Sequence, residues 1–110
     1  MAVWRSGGAV RLFVGTDSGT WGYLLSGGRL QVAWRSGEAG TSPVVAGGLL
    51  YVYDPNGGLN VFRPATGALV TRLPAGGGHW ESPIVTDGRI ALPEGDANDH
   101  RTSGILDIYR

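Results

Sequence analysis

Three turn pairs set the ground plan of this chain: Gly7-Gly8, Gly47-Gly48 and Asp87-Gly88 follow one another at intervals of 40 residues. A short apolar run precedes each pair, at Val3-Trp4, Val44-Val45 and Ile84-Val85, and Ser42-Pro43 and Ser82-Pro83 open two of these runs at the same spacing. A second run follows each turn, over 10–14, 49–53 and 89–92. A third lies beyond a polar, glycine-containing turn, over 21–25, 59–62 and 105–109. Leu59-Asn60-Val61-Phe62-Arg63 matches Leu106-Asp107-Ile108-Tyr109-Arg110 in character at every position. A fourth run, 30–34 and 69–73, exists in the first two units only. Self-similarity at a fixed period constrains a fold strongly, because such a unit buries its apolar face only against its neighbours.

The runs are short, alternate or continue apolar, and carry turn residues at both ends, which is the pattern of strands. Apolar residues nowhere recur at helical spacing over a useful length. Leu49-Leu50-Tyr51-Val52-Tyr53 is apolar throughout, as expected of a strand covered on both faces. Of the 20 glycines, eight form four pairs between the runs, where hairpin turns require positive φ. Four strands in roughly 40 residues is the pattern of a propeller blade. The expected fold is therefore all-β: antiparallel four-stranded blades of a β-propeller in one partial domain over 1–110. It holds about three repeats, near 1–39, 40–80 and 81–110, the last blade being incomplete.

Composition removes several function classes. Formal net charge is zero and the nine basic residues, all arginine, are scattered, so no field favours nucleic acid or an anionic membrane. There is no cysteine, which excludes disulfides and thiolate metal sites. No apolar run approaches the ~20 residues of a membrane-spanning helix. The segment after Met1, Ala2-Val3-Trp4-Arg5-Ser6-Gly7-Gly8, has no apolar core of a signal peptide. The compartment stays open.

Polarity concentrates in one place, Glu94-Gly95-Asp96-Ala97-Asn98-Asp99-His100-Arg101-Thr102-Ser103, which interrupts the third repeat. Asp96, Asn98 and Asp99 would offer hard oxygen ligands to calcium, although the spacing lacks the glycine and glutamate of an EF-hand loop. Asp99, His100 and Ser103 supply the residue types of a nucleophilic triad. Such close neighbours in a loop rarely attain triad geometry, which is set by spatial placement, so no catalytic residue is expected. His79, after Gly76-Gly77-Gly78, reads as a loop histidine, and the triple glycine lacks the lysine and helix of a phosphate cradle. The four tryptophans and four tyrosines lie on strands or at strand ends, where they are expected to pack cores and blade interfaces.

The unit Ser42-Pro43-Val44-Val45-Ala46-Gly47-Gly48-Leu49-Leu50-Tyr51-Val52-Tyr53, continued by Asn56-Gly57-Gly58-Leu59-Asn60-Val61-Phe62 and Ala65-Thr66-Gly67-Ala68-Leu69, resembles the pyrroloquinoline quinone (PQQ)-type propeller repeat. The resemblance spans essentially the whole chain. That family includes quinoprotein dehydrogenases and many non-enzymatic propellers, often extracytoplasmic. Its repeats usually carry an aspartate before the Ala-Thr-Gly turn and a tryptophan four residues after the turn glycine. Here those positions hold Arg63 and Thr71, and in the first unit Val32 with Trp34 two residues on. Regular docking of blade on blade through tryptophan is thus not expected. The adjacent cysteine pair of PQQ-dependent alcohol dehydrogenases is also missing.

Because a propeller needs about four or more blades to close, three repeats expose apolar blade faces and sheet edges. The expected partners are the remaining blades of a longer chain, of which this would be the C-terminal part, or other copies of itself. The resulting expectation for function is a non-catalytic binding or scaffold propeller segment. The alternatives are a part of a PQQ-dependent dehydrogenase and a carbohydrate-binding propeller. No cofactor follows from the residues themselves; PQQ and calcium enter only through the resemblance.

Overall fold

The computed structural model describes residues 1–77, 83–86, 88–94 and 105–109. They form eleven strands and, among the described residues, no helix: β1 (Ala2–Ser6), β2 (Ala9–Thr16), β3 (Gly19–Ser26), β4 (Arg29–Ser36), β5 (Val44–Ala46), β6 (Leu49–Tyr53), β7 (Leu59–Phe62), β8 (Leu69–Leu73), β9 (Ile84–Thr86), β10 (Arg89–Glu94) and β11 (Ile105–Tyr109). Each strand pairs antiparallel with its neighbour in sequence, giving a first sheet β1-β2-β3-β4, a second β5-β6-β7-β8 and a third β9-β10-β11. The paired glycines occupy the turns with positive φ, 57° and 76° at both Gly27-Gly28 and Gly47-Gly48. An L-residue rarely adopts such angles, so glycine closes these two-residue hairpins with little strain.

The 40-residue period extends to register. Leu50, Tyr51, Val52 and Tyr53 pair with Phe62, Val61, Asn60 and Leu59. In the third sheet Ile90, Ala91, Leu92 and Pro93 pair in the same order with Tyr109, Ile108, Asp107 and Leu106. In the first sheet Val10, Arg11, Leu12 and Phe13 pair with Leu25, Leu24, Tyr23 and Gly22. Side chains alternate across a strand, so equivalent residues in the three sheets point to equivalent faces.

The sheets pack face on face, and β1 lies against β5 and β5 against β9. One core lies between the first and second sheets, where Phe13 and Trp34 meet Leu50, Val52 and Phe62. A second joins Tyr53 and Leu59 of the second sheet to Leu92 of the third, with Ile90 and Tyr109 beside it. The middle sheet is therefore covered on both faces, as its continuous apolar run in β6 requires. Leu50 and Val52 face one core and Tyr53 the other, and all three are fully buried.

Trp34 joins the first two sheets, as expected of a tryptophan on a strand, although it stands two residues beyond the spacing of a regular docking tryptophan. A register shift between Gly22 and Tyr23 sets Gly22 opposite Trp34 and Tyr23 opposite Val32, leaving Ala33 as the extra residue of β4. Such a bulge turns the following side chain to the other face, so Val32 looks outward while Trp34 enters the core. Its indole lies between Phe13, at 6.0 Å, and Phe62, at 5.8 Å. The indole N–H donates to the Pro64 carbonyl at 2.7 Å, in the turn closed by the hydrogen bond from Gly67 N to Arg63 O at 2.9 Å. Gly22 and Gly67 both leave room for the ring: a Cβ at either position would run into the indole, and Gly67 also has φ of +72°. Glycine there is required by close approach rather than by a hairpin.

The second and third sheets are tied differently. The Tyr109 hydroxyl donates to the Pro74 carbonyl, and the Tyr53 hydroxyl donates to the Gly76 carbonyl at 2.7 Å. The connection from the first to the second sheet is stitched by Gly40 N to Thr16 O and Thr41 N to Tyr53 O. Thr20 Oγ1 completes it by donating to Glu38 O at 2.9 Å.

Candidate functional site

Two concave regions stand out among the described residues. The larger is a cleft of about 460 Å³ between the second and third sheets, lined by Ala46, Tyr51, Val85, Thr86, Ile90 and Tyr109, with Gly47 and Gly88 at its turns. The hairpins β5–β6 and β9–β10 form its walls, so the 40-residue repeat places its two sides in register. None of these lining side chains is a carboxylate, imidazole or cation. The cleft offers apolar contact with a hydroxyl on Thr86 and on each tyrosine.

The second is a recess of about 290 Å³ beside Arg72, Gly57 and Gly58. Arg72, on β8, sits opposite Asn60 in register and donates through Nη1 to Asn60 Oδ1 at 2.9 Å. Nη1 also reaches Glu38 Oε2 at 3.4 Å, and Nη2 reaches Asp54 Oδ2 at 3.5 Å. The Gly57 carbonyl accepts from the same Nη2. Asp54 is held by its own turn: its Oδ1 accepts from Asn56 N at 2.9 Å and its carbonyl from Gly57 N at 2.9 Å. Asn60 is fully buried, and its Nδ2 has no hydrogen-bond partner among the described residues. The guanidinium thus spends its donors on the chain itself. The cluster fastens the Asp54–Gly58 turn and the linker residue Glu38 to β7 and β8.

Because Asn60 is buried, Arg72→Met is expected to cost about 1–3 kcal/mol by leaving its amide without its one side-chain partner. Arg72→Met combined with Asn60→Leu replaces both partners by apolar groups and should recover most of that loss. Urea unfolding of both variants measures the difference.

Asp96, Asn98 and Asp99, the sequence candidates for a calcium site, lie outside the described residues, as do His79, His100 and Ser103. Among the described residues no three acidic, imidazole or thiol side chains gather as metal ligands would. Sequence reasoning did not single out Arg72 with Asn60, Asp54 and Glu38 as a group, because these partners lie 12, 18 and 34 positions from Arg72. The available signal was Asn60 itself, a polar residue within the apolar run Leu59–Phe62.

Two aromatics placed on strands face away from the core. Trp21 and Tyr23 stack at 6.4 Å with their planes 14° apart, and the Arg35 guanidinium lies 4.8 Å over the Trp21 ring. No helix among the described residues is long and apolar enough to cross a membrane. No protein-family model matches the chain, and no curated protein matches it either.

Proposed function

We propose that the chain is a segment of a β-propeller of the PQQ-type repeat kind, and that it works by binding rather than by catalysis. The observation that carries this reading is the equivalence of the three sheets, which share strand order and register at a 40-residue interval. Their first strands run side by side, β1 with β5 and β5 with β9, as blades arranged about a central axis would have them. The cleft between the second and third sheets supports the binding half of the reading, since its lining is mostly apolar and holds no carboxylate, imidazole or cation. Fold alone does not assign chemistry, so the enzymatic alternative is decided by a direct assay.

Purified protein incubated with PQQ and calcium is expected to reduce no electron-accepting dye above the blank and to melt at an unchanged temperature. Turnover with a primary alcohol or aldose would replace this reading with that of a dehydrogenase segment.

A further inference from the structure

The internal repeat says what each of the two outermost sheet faces is shaped to meet. In the second sheet, Val45, Leu50, Val52 and Phe62 form the face that packs on the first sheet. In the third sheet, Ile90, Leu92 and Tyr109, at the equivalent register positions, face the second. The equivalent positions in the first sheet are Arg5, Val10, Leu12 and Leu25, with Tyr23 paired to Leu12 and Val32 in register beside Tyr23. No described sheet covers them: Val32 is 55% exposed and Leu25 42%. At the other end, Ile84, Leu106 and Ile108 occupy the register positions of Val44, Leu59 and Val61. Leu59 and Val61 are buried, whereas Ile84, Leu106 and Ile108 are 61%, 62% and 59% exposed.

The two open faces are therefore the two unlike halves of an interface the chain already makes twice within itself. We propose that a second copy of this chain supplies the missing half at each end. The outer face of its third sheet stacks on Val10, Leu12, Tyr23 and Val32 of the first sheet, and its own first sheet stacks on Ile84, Leu106 and Ile108. The contact is heterologous, because unlike faces meet, and such contacts end either in closure or in a filament. Two copies with three sheets each bring six sheets together, within the roughly four to eight that close around an axis. The assembly closes as a two-fold dimer and removes both apolar faces from water, the outcome expected for patches of this kind.

This inference rests on the propeller reading above, and its test separates the two. Light scattering on a size-exclusion column should give about 23 kDa, twice the 11.5 kDa of one chain. Val32→Arg and Leu106→Arg change exposed side chains on opposite outer faces, so each monomer should keep its native circular dichroism and each should run near 11.5 kDa. An equimolar mixture retains one intact pair of unlike faces and should regain a 1:1 complex, one that dissociates more readily than the parent dimer, which has two such contacts. A monomeric parent protein overturns the proposal and leaves those faces to another occupant, such as further strands of a longer chain. A dimer lost in Val32→Arg but intact in Leu106→Arg overturns it as well, since like faces would then be meeting. A ladder of larger species contradicts closure. A monomer that keeps the contact of Trp34 with Gly67 removes the assembly alone, whereas one without that contact removes the propeller reading too.

Discussion

Trp34→Ala is expected to destabilise the chain by about 3–5 kcal/mol, the usual range for deleting a large buried aromatic. Trp34 is 91% buried by difference from its 9% exposure, and its ring fills the space that Gly22 and Gly67 leave open. Alanine would remove the contacts with Phe13 and Phe62 and leave the Pro64 carbonyl without its indole donor. Small domains are stable by only about 5–15 kcal/mol, so the melting temperature should fall by at least about 12 °C on the scaling for chains of this size. Trp34→Phe keeps most of the apolar contact and loses the hydrogen bond. Loss of the bond alone should cost about 0.5–1.5 kcal/mol. Calorimetry on the three proteins checks both figures, and equal losses in the two variants would mean that the ring does not pack as described.

Leu92→Ala tests the other core. Leu92 is fully buried between the second and third sheets with Tyr53 and Leu59, and its truncation should cost about 2–5 kcal/mol. The two clusters share no residue, so the losses in Trp34→Ala and Leu92→Ala should add to within about 0.5 kcal/mol. Hydrogen exchange locates the effect. Because each sheet packs only on its neighbours, Leu92→Ala should speed exchange in β9, β10 and β11 while leaving β2 and β3 closest to their original protection. Uniform acceleration across all three sheets would mean that they unfold as one unit and not as coupled repeats.

The strands were legible because period and turn chemistry agreed. The expected runs 49–53, 59–62, 69–73 and 105–109 coincide with β6, β7, β8 and β11. The first sheet was read too short: β2 and β3 run on through Gly15 and Gly19, which look like strand ends in a sequence. Both are held by close backbone approach, Gly15 to Thr41 and Gly19 to Ser36. The face and partners of Trp34 were hidden for a different reason. A bulge at Ala33 changes the face to which Trp34 points, and strand alternation read from the sequence assumes that no residue is inserted.

The polar cluster around Arg72 was hidden because ion pairs and side-chain hydrogen bonds join residues that only the stacked sheets bring together. Asn60 broke the apolar pattern of its run, as Asp107 does in the third repeat. Its equivalent is Tyr23 in the first sheet and Asp107 in the third, and a polar residue at that register does not by itself name its partner.

The contact between Trp34 and Gly67 is the most direct test of the stacking, because it joins two sheets through residues 33 positions apart. Proton NMR should show cross-peaks from the Trp34 ring protons to the α-protons of Gly67 and Gly22. It should also show an upfield shift of the Gly67 α-proton that occupies the Cβ direction toward the ring. Random-coil α-proton shifts for both glycines, without those cross-peaks, would contradict the stacked-sheet account.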